Sequence, residues 1–154
     1  MVRLDSLTEK VIWAHGENHP ELNEIGLLFR QMCADLAPHM FKEEQILFPY
    51  ILALVAADTG NKPAPLAPFG TINNPVQMMS FEHDQAGEML RTLRKLTSDY
   101  TPPADGCMSY KTLYEGFETF ERDLHQHIHL ENNILFPKAI ELEDQLVADK
   151  RCPI

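Results

Sequence analysis

One eleven-residue pattern occurs twice in this chain, and it constrains the fold more than any other feature. The first copy runs from His39 to Pro49 and the second from His127 to Pro137, and both fit H-x-x-x-E-x-x-I-L-F-P. A His and a Glu four residues apart lie on one face of a helix, one turn apart. The two copies therefore predict two helices that each present a His–Glu pair beside apolar residues. The shared proline predicts a bend or break in each helix.

The alignment of the two copies also separates ligands from their neighbours. Glu43 aligns with Glu131, whereas Glu44 aligns with Asn132, so Glu43 is the predicted ligand and Glu44 is not. The alternative is that the repeated pairs are solvated residues on helix surfaces. We disfavour it, because carboxylates beside an Ile-Leu-Phe wall would be costly to bury without a partner.

Five histidines lie outside the repeated pairs. With the two copies aligned, His125 corresponds to Ala37 and His129 to Phe41, and we interpret both histidines as non-ligands. His83 lies in a third predicted helix that must face the repeated helices, and it is a candidate ligand. His15 ends a short first helix 24 residues before the first repeated histidine, which leaves room for a turn and an antiparallel return, so it is also a candidate. His19 is its rival, although the proline that follows favours a loop or capping role.

Apolar residues recur at spacings of three and four in four segments. We predict helices over residues 4–15, 20–57, 75–98 and 109–147, with a long loop rich in Gly and Pro between residues 59 and 75. The chain has no alternating pattern typical of strands. It is therefore predicted to be all-α, an antiparallel up-down four-helix bundle with a truncated first helix, forming a single domain over residues 1–154.

Charge and cysteine content narrow the partners. The net charge of −10 argues against nucleic acid or an anionic membrane, since both attract a basic surface. No apolar run is long enough to span a membrane, and the N-terminus has no apolar signal segment. The cysteines Cys33, Cys107 and Cys152 are far apart and form no C-x-x-C. They are predicted to be free thiols in a cytoplasmic protein.

The candidate ligands combine imidazoles and carboxylates without a thiolate, which suits iron, manganese or zinc. Two carboxylates on two helices, each one turn from a histidine, suit a bridged pair of irons. The order His before Glu differs from the E-x-x-H of ferritin-like bundles and from the zinc-protease H-E-x-x-H. Six protein ligands would leave open positions on two six-coordinate ions.

The sequence resembles the hemerythrin-like (HHE) domain, and most closely the C-terminal domain of the iron–sulfur cluster repair di-iron proteins of the YtfE/ScdA type. Both repeats carry the resemblance, together with E-H-D-Q-A-G-E-M-L over residues 82–90 and T-P-P over residues 101–103, and it covers nearly the whole chain. It implies two iron ions bridged by carboxylates and an oxo or hydroxo group. The resemblance implies His15, His39, His83 and His127 as terminal ligands, and Glu43 and Glu131 as bridges.

The resemblance also implies a role in the repair of iron–sulfur clusters damaged by oxidative or nitrosative stress. O2 or NO would be the small ligands and iron–sulfur proteins the recipients, and a NO-reducing or an iron-donating activity would fit. The alternative is a hemerythrin-like module that binds or senses O2 or NO without turnover. A bundle that has lost its metal function is a third reading, against which the retained His–Glu pairs argue.

Two departures from the family matter. The family has a small N-terminal domain with paired cysteines, which this chain lacks, and a further histidine near the start of the first helix. The 44-residue spacing from His83 to His127 would place the corresponding partner of His39 before Met1. We therefore expect only the C-terminal part of the first helix. The apolar groove left open would favour self-association as a homodimer.

Overall fold

Within residues 2–60 and 65–150, the chain folds into four helical stretches. The computed structural model describes residues 2–60 and 65–150. Its helices are α1 (Val2–His15), α2 (Glu21–Lys42), α3 (Phe48–Asp58), α4 (Asn73–Leu96), α5 (Met108–Leu130) and α6 (Phe136–Lys150). Two five-residue π turns, Glu43–Leu47 and Glu131–Leu135, join α2 to α3 and α5 to α6 without a loop. The described ranges contain no strand, and the predicted all-α four-helix fold is confirmed.

The predicted helix bounds agree with the structure to within a few residues. Part of the predicted loop, residues 61–64, lies outside the described residues, as does Cys152. Cys33 and Cys107 are free thiols, as predicted. No helix in the described ranges combines the length and the apolar character that a membrane crossing requires.

The chain divides into two compact units, each built from segments that are distant in sequence. The first comprises the residues up to Ala37 together with Asp84–Gln126, and the second comprises Pro38–His83 together with the residues from His127 onward. The single domain expected over residues 1–154 stays a prediction.

The first unit has an apolar core that follows the three-and-four spacing of its helices. Phe29 of α2 packs against Phe117 of α5, with ring centroids 4.9 Å apart. Fully buried apolar residues of this core are Val11, Leu22, Ile25, Phe29, Leu93, Tyr110, Leu113 and Phe117. Burying each large apolar side chain contributes roughly 1.5–3 kcal/mol. This gain explains why the helix faces with apolar residues at spacings of three and four face the core.

The second unit has its own core and a buried polar anchor. Its core residues are Leu47, Tyr50, Ile51, Leu54, Ile72, Val76, Met79, Phe136 and Ala139. The Glu143 carboxylate of α6 accepts a hydrogen bond of 2.6 Å from the Tyr50 hydroxyl of α3. It also accepts the backbone N–H of Ile72 at 3.0–3.1 Å, just before α4 begins. Glu143 thus holds together α3, α6 and the start of α4.

The two π turns are the structural form of the predicted bend or break. In each turn the backbone N–H of the phenylalanine reaches the carbonyl of the repeated glutamate five residues earlier, Phe48 to Glu43 and Phe136 to Glu131. The following proline has no N–H to donate and would crowd the carbonyl four residues before it in a regular α-helix. Single π turns inside α-helices occur frequently at functional sites.

Candidate metal centre

Three of the predicted ligands lie on the faces of helices that point into the core. His83 lies between buried Met79 and Ala86 on α4, at spacings of four and three. His39 at the end of α2 and Glu43 at the start of the first π turn are also buried, and Glu43 is 0% exposed. The pattern that buries apolar residues therefore also buries these polar side chains.

Five of the six predicted ligands converge in the second unit. One ligand atom from each residue lies within 4.8 Å of the others, in a cluster formed by His39, Glu43, His83, His127 and Glu131. The residues come from α2, α4, the end of α5 and both π turns. We call these five residues the His–Glu cluster.

Each carboxylate of the His–Glu cluster contacts more than one imidazole. Glu131 Oε2 lies 3.2 Å from Nε2 of both His83 and His127. Glu43 Oε1 lies 3.2 Å from His39 Nε2, and Glu43 Oε2 lies 3.6 Å from His127 Nε2. A carboxylate that lies between two imidazoles can bind one metal ion together with them, or bridge two metal ions.

Several buried polar atoms in the cluster lack a hydrogen bond of good geometry. They are both carboxylate oxygens of Glu43, Oε2 of Glu131 and Nε2 of His127. An isolated buried carboxylate is costly unless a cation or donors compensate its charge. The orphaned oxygens and nitrogen converge on one another, so the residues present fit a metal ion.

The electrostatics show how the carboxylates are compensated by protons. Glu131 and Glu43 raise the pKa of His127 to about 10. Burial disfavours the charged form of His39, yet Glu43 and Glu82 together raise its pKa. Burial likewise opposes ionisation of Glu43, but His127 and His39 outweigh it and hold its pKa well below the usual range. A protonated His127 would therefore take the electrostatic role that a cation can fill, and metal binding would release its proton.

Two histidines of the cluster have a partner for the ring nitrogen that faces away from it. His39 Nδ1 lies 2.8 Å from Glu82 Oε2, and Glu82 also pairs with Lys42. His83 Nδ1 lies 3.0 Å from Asn132 Oδ1. Such outer partners fix the orientation and tautomer of metal-binding histidines. Sequence reasoning missed both, and the only signal is that Glu82 and Asn132 adjoin ligands in the chain.

The structure does not bring His15 to the cluster. His15 lies in the first unit, with its ring centroid 5.4 Å from that of Tyr110, near the start of α5. His15 ends α1, whereas His39 lies about five turns into α2. His15 is not one of the five residues of the cluster, and its role as a ligand stays a prediction.

The residues interpreted as non-ligands lie outside the cluster. Glu44 is exposed, and His129 is exposed beside Asn133. His125 lies beside Glu121 at 3.5 Å and is more than half exposed. His19 instead contacts two carboxylates of the first unit, Glu21 at 3.1 Å from its Nδ1 and Asp105 at 3.0 Å from its Nε2.

Comparisons with known proteins find a matching family model and several similar proteins. The family model of the hemerythrin HHE cation-binding domain matches residues 3–139. The chain is 40% identical over 137 residues to a probable iron-sulfur cluster repair protein of Haemophilus influenzae, covering 89% of this chain and 56% of that protein. It is 38% identical to the iron-sulfur cluster repair protein YtfE of Musicola paradisiaca, with the same coverage. It is 42% identical over 109 residues to YtfE of Dickeya chrysanthemi, covering 71% of this chain and 43% of that protein. The chain thus spans about half the length of the curated relatives it matches.

Proposed function

Because the chain belongs to the hemerythrin HHE cation-binding domain family, we propose that it binds two iron ions at the His–Glu cluster. The observation that carries the proposal is the convergence of five ligand atoms within 4.8 Å around buried carboxylates. Imidazole and carboxylate donors without thiolate suit iron. Five ligands are too few to saturate two ions, so open positions would remain.

The contacts in the cluster support a distinct role for each proposed ligand. Glu131 lies against His83 and His127, and Glu43 lies against His39 and His127. We propose both glutamates as bridges and the three histidines as terminal ligands. Bound iron with open positions would supply redox chemistry and a binding place for O2 or NO.

We further propose that the chain serves the repair of iron–sulfur clusters damaged by oxidative or nitrosative stress. The proposal draws on the relatives described above, which are named iron-sulfur cluster repair proteins and are 38–42% identical to the chain. This chain would bind iron and transfer it to iron–sulfur proteins. The alternative is a module that binds or senses O2 or NO without turnover. The cytoplasmic location and the homodimer remain predictions.

Metal analysis of purified protein tests the two-iron site. We expect two irons per chain after anaerobic loading with ferrous iron. Glu43→Ala and Glu131→Ala should each lose at least one iron, because each removes a bridging carboxylate. Glu44→Ala is the matched control, since Glu44 follows Glu43 directly but is exposed. A parent protein that binds no iron, or only one zinc ion, would contradict the proposal.

Iron transfer separates the two functions. The ferrous protein is incubated with an iron–sulfur enzyme whose cluster has been damaged by NO, and the activity of that enzyme is followed. Recovery that depends on the iron-loaded parent, and that fails with Glu43→Ala, supports repair. Retention of both irons with reversible binding of O2 or NO, and no recovery, supports the binding module.

A further inference from the structure

We propose that Asn132 is a positioning residue, which fixes the ring of His83 with the Nδ1–H tautomer so that Nε2 faces the His–Glu cluster. It makes the environment of His83 chemically different from that of His39. The inference rests on the metal site proposed above, although its first test needs no metal.

The geometry around Asn132 identifies the donor and the acceptor. Asn132 Oδ1 lies 3.0 Å from His83 Nδ1 and 3.4 Å from the Ser80 hydroxyl. The hydroxyl donates to this oxygen, and His83 Nδ1 can contact it favourably only when that nitrogen carries a proton. A neutral His83 then has its lone pair on Nε2, which lies 3.2 Å from Glu131 Oε2 and from His39 Nε2.

The surroundings of His83 leave its ring few alternatives. His83 is 3% exposed, and its ring is nearly parallel to that of Phe136, with 3° between the planes and 6.1 Å between the centroids. Phe136 sets the plane of the ring but does not distinguish its two nitrogens. The amide oxygen of Asn132 does, because it accepts only from a protonated nitrogen.

His39 has an outer partner of a different kind. Its Nδ1 lies 2.8 Å from a carboxylate, that of Glu82, whereas His83 Nδ1 contacts the neutral amide of Asn132. A carboxylate draws the Nδ1 proton and strengthens the opposite nitrogen as a metal donor, whereas an amide oxygen orients the ring without adding charge. The two imidazoles are therefore unequal donors.

The internal repeat supplies an independent argument. Asn132 aligns with Glu44, and both follow the repeated glutamate directly. Glu44 is exposed, whereas Asn132 is half-buried and reaches α4 through His83 and Ser80. The same position in the two π turns thus points to different environments, and only the second copy uses it to orient a histidine.

Three variants test the role of Asn132. Asn132→Ala removes the acceptor, Asn132→Asp keeps an acceptor and adds charge, and Asn133→Ala is the matched control because the neighbouring Asn133 is exposed and contacts His129. The first readout is the 15N NMR signature of the His83 ring in metal-free protein. The second is the affinity for Co2+, used as the probe metal in competition with a chelator, together with the Co2+ absorption bands.

We expect the parent and Asn133→Ala to show the Nδ1–H tautomer of His83 and equal Co2+ affinity. Asn132→Ala should lose that signature and bind Co2+ about 10–100-fold more weakly. Asn132→Asp should keep the signature and bind at least as tightly as the parent, with shifted Co2+ bands. This recovery separates positioning from packing, since a role in packing alone would not need an acceptor.

An Nε2–H tautomer of His83 in the metal-free parent would overturn the inference. This test uses no variant, so the inference can be refuted even if the Asn132→Ala protein fails to fold. Equal Co2+ affinity of Asn132→Ala and the parent would also overturn it, as would an Asn132→Asp protein as weak as Asn132→Ala. A parent that binds neither Co2+ nor iron would instead refute the proposed metal site, and the NMR result would stand by itself.

Discussion

Glu143 provides the sharpest test of how the second unit is held together. Replacing Glu143 with alanine removes the acceptor for two donors, the Tyr50 hydroxyl at 2.6 Å and the Ile72 N–H at 3.0–3.1 Å. A buried donor left without a partner costs about 1–3 kcal/mol. Glu143 also lines a cleft that is open to solvent, so water can partly replace it. We expect the free energy of unfolding to fall by about 2–4 kcal/mol.

The assay is urea unfolding of the metal-free protein, followed by far-UV circular dichroism. Glu141→Ala is the matched control, because Glu141 is an exposed glutamate of the same helix whose carboxylate contacts Gln145. It should change the free energy of unfolding by no more than about 0.5 kcal/mol. Tyr50→Phe should cost about 1 kcal/mol, since it removes one donor and leaves the Ile72 contact in place.

A double variant separates this hydrogen bond from general packing. Tyr50→Phe combined with Glu143→Ala should cost less than the sum of the single changes, because no unsatisfied hydroxyl remains. Strict additivity would refute the reasoning, as would a Glu143→Ala protein as stable as Glu141→Ala. Metal content is measured in parallel. Loss of metal with unchanged stability would show that Glu143 acts on the site and not on the fold.

Two further predictions concern the first unit and the metal. His19 Nε2 lies 3.0 Å from Asp105 Oδ1, and this contact raises the pKa of His19. A raised pKa stabilises the fold below the unfolded value of about 6.5 and ceases to do so as the pH rises through the folded value. Asp105→Asn should therefore lower the urea midpoint more at about pH 6 than at about pH 10, and an equal loss at both would contradict the pairing. In a second experiment, the free metal concentration is first set to a hundred times the dissociation constant of the metal. Removal of the metal with a chelator should then lower the free energy of unfolding by about 2.7 kcal/mol. Glu43→Ala should show a smaller loss on chelation, and an equal loss would place the metal elsewhere.

The sequence predicted well whatever depends on local spacing. His39 and Glu43 are four residues apart, so a helix alone brings them to one face, and the structure joins them at 3.2 Å. The repeat then selects Glu131 as the counterpart of Glu43. The prediction of His83 required one further assumption. Its helix carries no copy of the repeat, so it had to be assumed to face the two helices that do. The apolar spacing around His83 made that face predictable.

The remaining features depend on tertiary placement. The number of residues between His15 and His39 sets only an upper limit on their distance, so His15 as a ligand stays a prediction. The proline of each repeat predicts a disturbance of the helix. It does not determine whether the chain breaks or, as here, continues through a π turn that begins at the proposed ligand Glu43. Both outcomes accommodate Pro49, which has no N–H to donate, and packing decides between them.

The repeat predicts the histidines and glutamates of the cluster but not the residues that contact the histidines from outside it, Glu82 and Asn132. The proposed ligands of the two copies occupy equivalent positions, because a His–Glu pair needs only its own helix. Glu82 and Asn132 act across helices, and α4 has no repeat of its own to match them. One chain of contacts, from His39 through Glu82 to Lys42, ends at a partly exposed ammonium group. The other runs from His83 to Asn132, is neutral, and ends within the unit. A duplicated ligand set thus acquires two unequal environments from residues that are not duplicated, and the variants of Asn132 test this inequality directly.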